Sequence, residues 1–83
     1  MEEQILEQIK EILKRVGYES NQEISMESNI TQAGIDSLMY IQLIVELELI
    51  YEIEINPDFM FTKPEDTIGQ VVEEVVHKLI QRR

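Results

Sequence analysis

The chain has 83 residues, no cysteine and a formal net charge of −10. That length makes one domain close to the smallest that a single hydrophobic core sustains unaided, and the missing thiols exclude disulfides and thiolate-bound metal as staples. Every Lys and Arg lies outside residues 16–62, an interval that holds Glu19, Glu23, Glu27, Asp36, Glu46, Glu48, Glu52, Glu54 and Asp58, so the middle of the chain repels nucleic acid and anionic membrane and attracts basic surfaces.

In chain order, Ile5, Leu6, Ile9, Ile12, Leu13 and Val16 recur at the three-and-four spacing of one helix face, and Gly17 follows as a stop signal. This predicts a first helix over about residues 3–16. Its opening is acidic and amphipathic, so neither a signal peptide nor an anchor is expected there. No stretch reaches the roughly 18 consecutive apolar residues of a membrane span, and a soluble, cytoplasmic monomer is the expectation. Residues 17–36 show no sustained period and are rich in Ser, Asn, Gln and Glu, which predicts a long loop pinned to the core by Ile24, Met26 and Ile30. Within it, Asn29-Ile30-Thr31 fits the glycosylation pattern and is read as chance in the absence of a secretory signal.

A second helix is predicted over about residues 37–52, with Asp36 as its N-cap. At about 100° per residue, Tyr40, Leu43, Ile44, Leu47, Ile50 and Tyr51 collect on one side, the natural core face. Leu38, Ile41, Val45 and Leu49 collect on another side with Ser37, Gln42, Glu48 and Glu52. Such a second apolar stripe is either covered by the protein's own loop or left for a partner. The alternating YEIEINP that follows has no evident strand to pair with and is read as a frayed helix end and extended connector. Between it and the last helix there is room for a short third helix, with Phe59, Met60 and Phe61 as core contacts and Pro64 as its end. Ile68, Val71, Val72, Val75, Val76, Leu79 and Ile80 mark the clearest helix of the chain, opened by a capping-box pattern of Thr67 with Gln70 and closed by Lys78, Arg82 and Arg83. The expectation is therefore all-α: a single domain over residues 1–83, built as a small four-helix bundle of three longer helices and one short one, with a long first loop.

Ser37 opens the second stripe, flanked by carboxylates. As a catalytic nucleophile it would need a general base, and the chain's one histidine, His77, stands forty residues on in the last helix. Its neighbours Asp36 and Leu38 are not the glycines of a hydrolase elbow. No HExxH or calcium-loop spacing appears, so no catalytic or metal site is expected. An unactivated serine in an acidic helical module is better suited to modification by another enzyme.

The stretch GIDSLMYIQLIVELELIYEIEI, with its Asp36-Ser37-Leu38 motif, Gly34 before it and Leu43, Leu47, Glu48 and Tyr51 after it, resembles the signature region of acyl carrier proteins. The long first loop and capped final helix extend that resemblance over essentially the whole chain. The resemblance implies a non-enzymatic carrier in which Ser37 receives 4′-phosphopantetheine from coenzyme A. It implies, too, that the arm's thiol holds acyl groups as thioesters. It makes Asp36 a helix cap and part of the modifying enzyme's recognition surface, and places Leu38, Ile41, Val45, Glu48 and Glu52 on the face that partners touch. The partners implied are a phosphopantetheinyl transferase and acyl-handling enzymes such as an acyltransferase or ketosynthase with basic docking surfaces, and neither nucleic acid nor membrane. Carriers of fatty acid synthesis usually place acidic residues two and five positions after the serine, where this chain has Met39 and Gln42; peptidyl carriers usually have paired glycines where it has Ala33 and Gly34. A discrete carrier of a polyketide or other specialised pathway is the favoured expectation, with fatty acid synthesis or a peptidyl carrier as alternatives. Outside the class, the alternative is an acidic helical adaptor that binds a basic partner without an arm.

Overall fold

Ile5, Ile9, Ile12 and Leu13 share one face of the first helix and all four are buried, so the three-and-four spacing does place a core stripe. The computed structural model describes residues 1–19, 23–55 and 66–81. Among the described residues there are three helices and no strand: α1 (Glu2–Arg15), α2 (Ser37–Tyr51) and α3 (Ile68–Gln81). The expected short third helix, with Phe59, Met60, Phe61 and Pro64, lies outside the described residues, and the three longer helices of the expected bundle are the ones described. α1 packs against both α2 and α3, and buried side chains from all three helices and the first loop make one core.

Glu2 and Glu3 in the first turn of α1 and Lys14 and Arg15 in its last complement the helix dipole. Gly17 then takes φ 95°, a conformation that a side chain disfavours, and the Tyr18 N–H reaches back to the Leu13 carbonyl at 2.9 Å. The Tyr18 hydroxyl donates to the Ala33 carbonyl at 2.6 Å, closing the far side of the loop. Ile24 and Ile30 are buried and Met26 packs partly against the core, as the pinning expectation required; Ile35 is buried as well.

The same loop is strapped to the start of α3 through the backbone. The first N–H groups of a helix have no partner within it. Here the Ile68 N–H donates to Ser28 O at 2.9 Å and the Gly69 N–H to Met26 O at 2.8 Å, while the Ile30 N–H donates to Asp66 O at 3.0 Å. Asn29 and Thr67 form an isolated antiparallel bridge between these bonds. Gln70 Oε1 accepts from the Thr67 N–H at 2.8 Å, which is the reach-back half of the capping box. The Asn29 side chain of the sequon is itself engaged, its Oδ1 accepting from the Gln32 N–H at 2.9 Å.

Two apolar positions depart from expectation. Ile50 is 41% exposed and Ile80 62% exposed. Each stands at the margin of its stripe in the last turn of its helix, α2 ending at Tyr51 and α3 at Gln81.

An added Cβ at Gly69 would lie 2.8 Å from the Met26 carbonyl oxygen, a backbone atom that cannot rotate away. Gly69→Ala should therefore lower stability in urea denaturation by about 1–3 kcal/mol, the usual cost of overpacking. Leu47→Ala, at a fully buried position, should cost about 2–5 kcal/mol, whereas Leu49→Ala, two residues on and 70% exposed, should stay within about 0.5 kcal/mol of the parent.

Candidate functional site

The site is built where the first loop meets α2. Gly34 takes φ 86° and the Ile35 N–H donates to Ile30 O at 3.3 Å, turning the chain so that Ile35 enters the core and Asp36 leaves it. Asp36 has extended backbone (φ −79°, ψ 174°), and its Oδ1 accepts from the Met39 N–H at 2.8 Å while its carbonyl accepts from the Tyr40 N–H at 2.9 Å. Asp36 is thus the N-cap that the sequence predicts. Ser37 is the first residue of α2 and is exposed. Asp36 performs the capping, so the cap does not depend on the serine side chain.

Beyond the serine, α2 divides into two faces. Tyr40, Leu43, Ile44 and Leu47 are buried, and Met39 and Tyr51 pack partly against the core. Leu38 is 67% and Val45 40% exposed, Ile41 is half-buried, and Leu49 extends the same outward stripe. Ile41 and Val45 also form the floor of a shallow groove of about 200 Å³, completed by Val16 from the end of α1 and by Gln42 and Glu46. The helix has no acidic residue in its first turn.

Its carboxylates have intramolecular partners. Glu46 Oε2 lies 3.2 Å from the Arg15 guanidinium of α1. Glu48 is half-buried, and its Oε2 accepts from the Ile55 N–H at 2.9 Å while its carbonyl accepts from the Ile53 N–H at 3.2 Å. Those two bonds fasten the chain as it leaves α2, which lets Glu52 occupy the left-handed region at φ 53° and drives Ile53 and Ile55 into the core. Nothing in the sequence pattern marks Glu48 for this work, because it needs a turn in which residue 55 returns beside residue 48. Glu52 itself is exposed, about 22 Å along the helix axis from Ser37.

His77 is exposed on α3 and lines a separate surface depression with Asp66, Gln70, Glu73 and Glu74, to which Ser37 does not belong. Tyr40, one turn on, is buried on the core side; burial, with the Asp66 carboxylate adding to it, pushes its phenol up to about 12, so it stays protonated at neutral pH. Among the described residues no group of three or more His, Asp or Glu side chains is placed to hold a metal ion, and no helix is long and apolar enough to cross a membrane.

The family model described as the phosphopantetheine attachment site matches residues 3–75, from the first turn of α1 to Val75 in α3. No curated protein and no solved structure matches the chain.

The cap makes a direct prediction. Asp36→Ala should cost about 0.5–2 kcal/mol in chemical denaturation followed by circular dichroism, and Asp36→Asn should retain most of the parent stability, since the amide oxygen still accepts from the Met39 N–H.

Proposed function

The chain belongs to the phosphopantetheine attachment-site family, whose domain is the site of covalent 4′-phosphopantetheine attachment, and from that premise we propose that Ser37 is the attachment residue and that the whole chain is one carrier domain for acyl thioesters. The observation that carries the reading is an exposed serine hydroxyl at the first position of a helix whose cap is supplied by the residue before it.

The residues present fit the group. Esterification of Ser37 Oγ puts a phosphodiester at the N-terminal end of α2, where free N–H groups and the helix dipole favour negative charge. The Asp36 carboxylate is held by the Met39 N–H, and no acidic side chain follows in the first turn to oppose that charge. When attached, the arm supplies a thiol on which an acyl group is held as a thioester. The protein's own contribution is to fix the anchor point on a rigid helix end, so that a docked enzyme meets the tethered group at high effective concentration. Carrier domains of this family are not themselves catalytic.

The partners of this reading are a phosphopantetheinyl transferase and the acyl-handling enzymes that load and consume the cargo, all reaching Ser37 across Leu38, Ile41 and Val45. A polyketide or other specialised pathway is favoured over fatty acid synthesis because Met39 and Gln42 stand where acidic residues are usual in the latter. Met39 packs partly against the core, so its apolar character also serves the fold.

Incubation with coenzyme A, magnesium and a broad-specificity phosphopantetheinyl transferase should add one phosphopantetheine per chain by intact mass spectrometry, and peptide mapping should place it on Ser37. Ser37→Ala should abolish the addition with an unchanged far-ultraviolet spectrum. Attachment at Ser20, Ser25 or Ser28, or no addition by a transferase proven active on another carrier, would overturn the assignment.

A further inference from the structure

The chain enters α2 through Gly34, three positions before Ser37, and that glycine stands at φ 86°. Glycine adopts this conformation readily and leaves it as readily, so it does not hold the turn by itself. The hold comes from the peptide unit that joins Ala33 to Gly34. The N–H of that unit donates to Thr31 O at 3.1 Å, and its carbonyl accepts from the Tyr18 hydroxyl at 2.6 Å. A planar peptide gripped by both of its polar groups cannot swing without breaking one bond or the other. With that plane fixed, Ile35 turns into the core and Asp36 and Ser37 turn out.

Tyr18 is built as a fixed post. Its N–H donates to Leu13 O at 2.9 Å at the end of α1, and its ring packs partly against the core. A second tie between α1 and the first loop, Lys10 to Glu23 at 3.6 Å, holds the early part of the loop and does not touch the Ala33–Gly34 unit.

Ser37 depends on such a post because of its place in the helix. The first N–H groups of a helix have no partner within it, so the opening residue of α2 is held by the helix on one side and by the entering chain on the other. In the attachment step, Ser37 Oγ forms a bond to the pantetheine-side phosphorus of coenzyme A. The pyrophosphate bond breaks, adenosine bisphosphate leaves, and the hydroxyl proton passes to a base of the transferase. That displacement needs Oγ in line with the leaving group, a geometry that a drift of about 1 Å degrades. Resting on the assignment of Ser37 as the attachment residue, we infer that Tyr18 is a positioning residue for the transfer: its hydroxyl, acting through the Ala33 carbonyl and Gly34, fixes the direction in which the serine is presented.

Tyr18→Phe keeps the ring and removes only the hydroxyl. With coenzyme A, magnesium and a transferase that modifies the wild-type chain at Ser37, it should lower kcat by about three- to tenfold, the change in equilibrium that one hydrogen bond is worth. KM for the carrier should stay within about twofold, because the surface of α2 is unaltered. Native-state hydrogen exchange should quicken by about three- to tenfold at the Gly34 and Ile35 N–H groups and stay unchanged at those of Ile68 and Gly69, whose bonds belong to the strap on α3. Glu23→Gln, which removes the charge from the other tie, should stay within about twofold of the wild type in kcat and KM. Unchanged kcat for Tyr18→Phe would overturn the inference. So would exchange that rises equally at all four N–H groups, since the hydroxyl would then stabilise the whole domain, or a loss in Glu23→Gln that matches the loss in Tyr18→Phe, since any loosening of the loop would then suffice. A wild-type chain left unmodified at Ser37 by a transferase proven active on another carrier would overturn the carrier reading, and the inference with it.

Discussion

The backbone bonds that join the first loop to the start of α3 are the constraint on which the rest depends. The N–H groups of Ile68 and Gly69 need acceptors that their own helix cannot supply, and the carbonyls of Ser28 and Met26 need donors that an irregular loop cannot supply. Each set answers the other, and the return bond from Ile30 N–H to Asp66 O completes the strap. Individually such bonds contribute about 1 kcal/mol net, but leaving either side unpaired in contact with the core would cost more. Once the strap is made, Ile30 and Ile35 are fixed in the core, and the turn through Gly34 delivers Asp36 to the head of α2. The position of Ser37 is therefore inherited from a pairing thirty residues away in sequence.

α2 then has to satisfy two demands. Its inner side must close the core of a small domain, which Tyr40, Leu43, Ile44 and Leu47 do. Its outer side stays open beside Ser37, so a helix this rich in apolar residues is not buried all round. The acidic residues along it reconcile these demands with a stable helix: Asp36 holds one end, Glu48 holds the exit of the other, and Glu46 ties the helix to α1 through Arg15. Three of the acidic residues from the middle of the chain thus have a second task in the folded molecule, that of holding α2 in place.

Much of this was legible before folding. Each of the three helices follows from a sustained three-and-four period, which reports burial on one face regardless of what does the burying. The Asp36 cap and the open serine beside it follow from local chemistry confined to four residues. The exposure of Leu38, Val45 and Leu49 was implied by their angle to the core residues, although periodicity left open whether a loop would cover them. Ile50 and Ile80 were misplaced because a period reports the side of the helix on which a residue lies and not whether another part of the chain covers it there.

Sequence by itself determined the helices, the cap, the motif around Ser37 and thereby the family, because all of these are encoded in spacings shorter than a few turns. Tertiary structure decided what the charged and irregular residues do. Only there does the Glu48 carboxylate meet the Ile55 N–H, the Tyr18 hydroxyl meet the Ala33 carbonyl, and Met26 O approach Gly69 so closely that a methyl group would not fit. The physical reason is that a hydrogen bond or ion pair depends on two groups meeting within about 3 Å. A period in one segment says which way a side chain faces, but not what the rest of the chain brings to meet it.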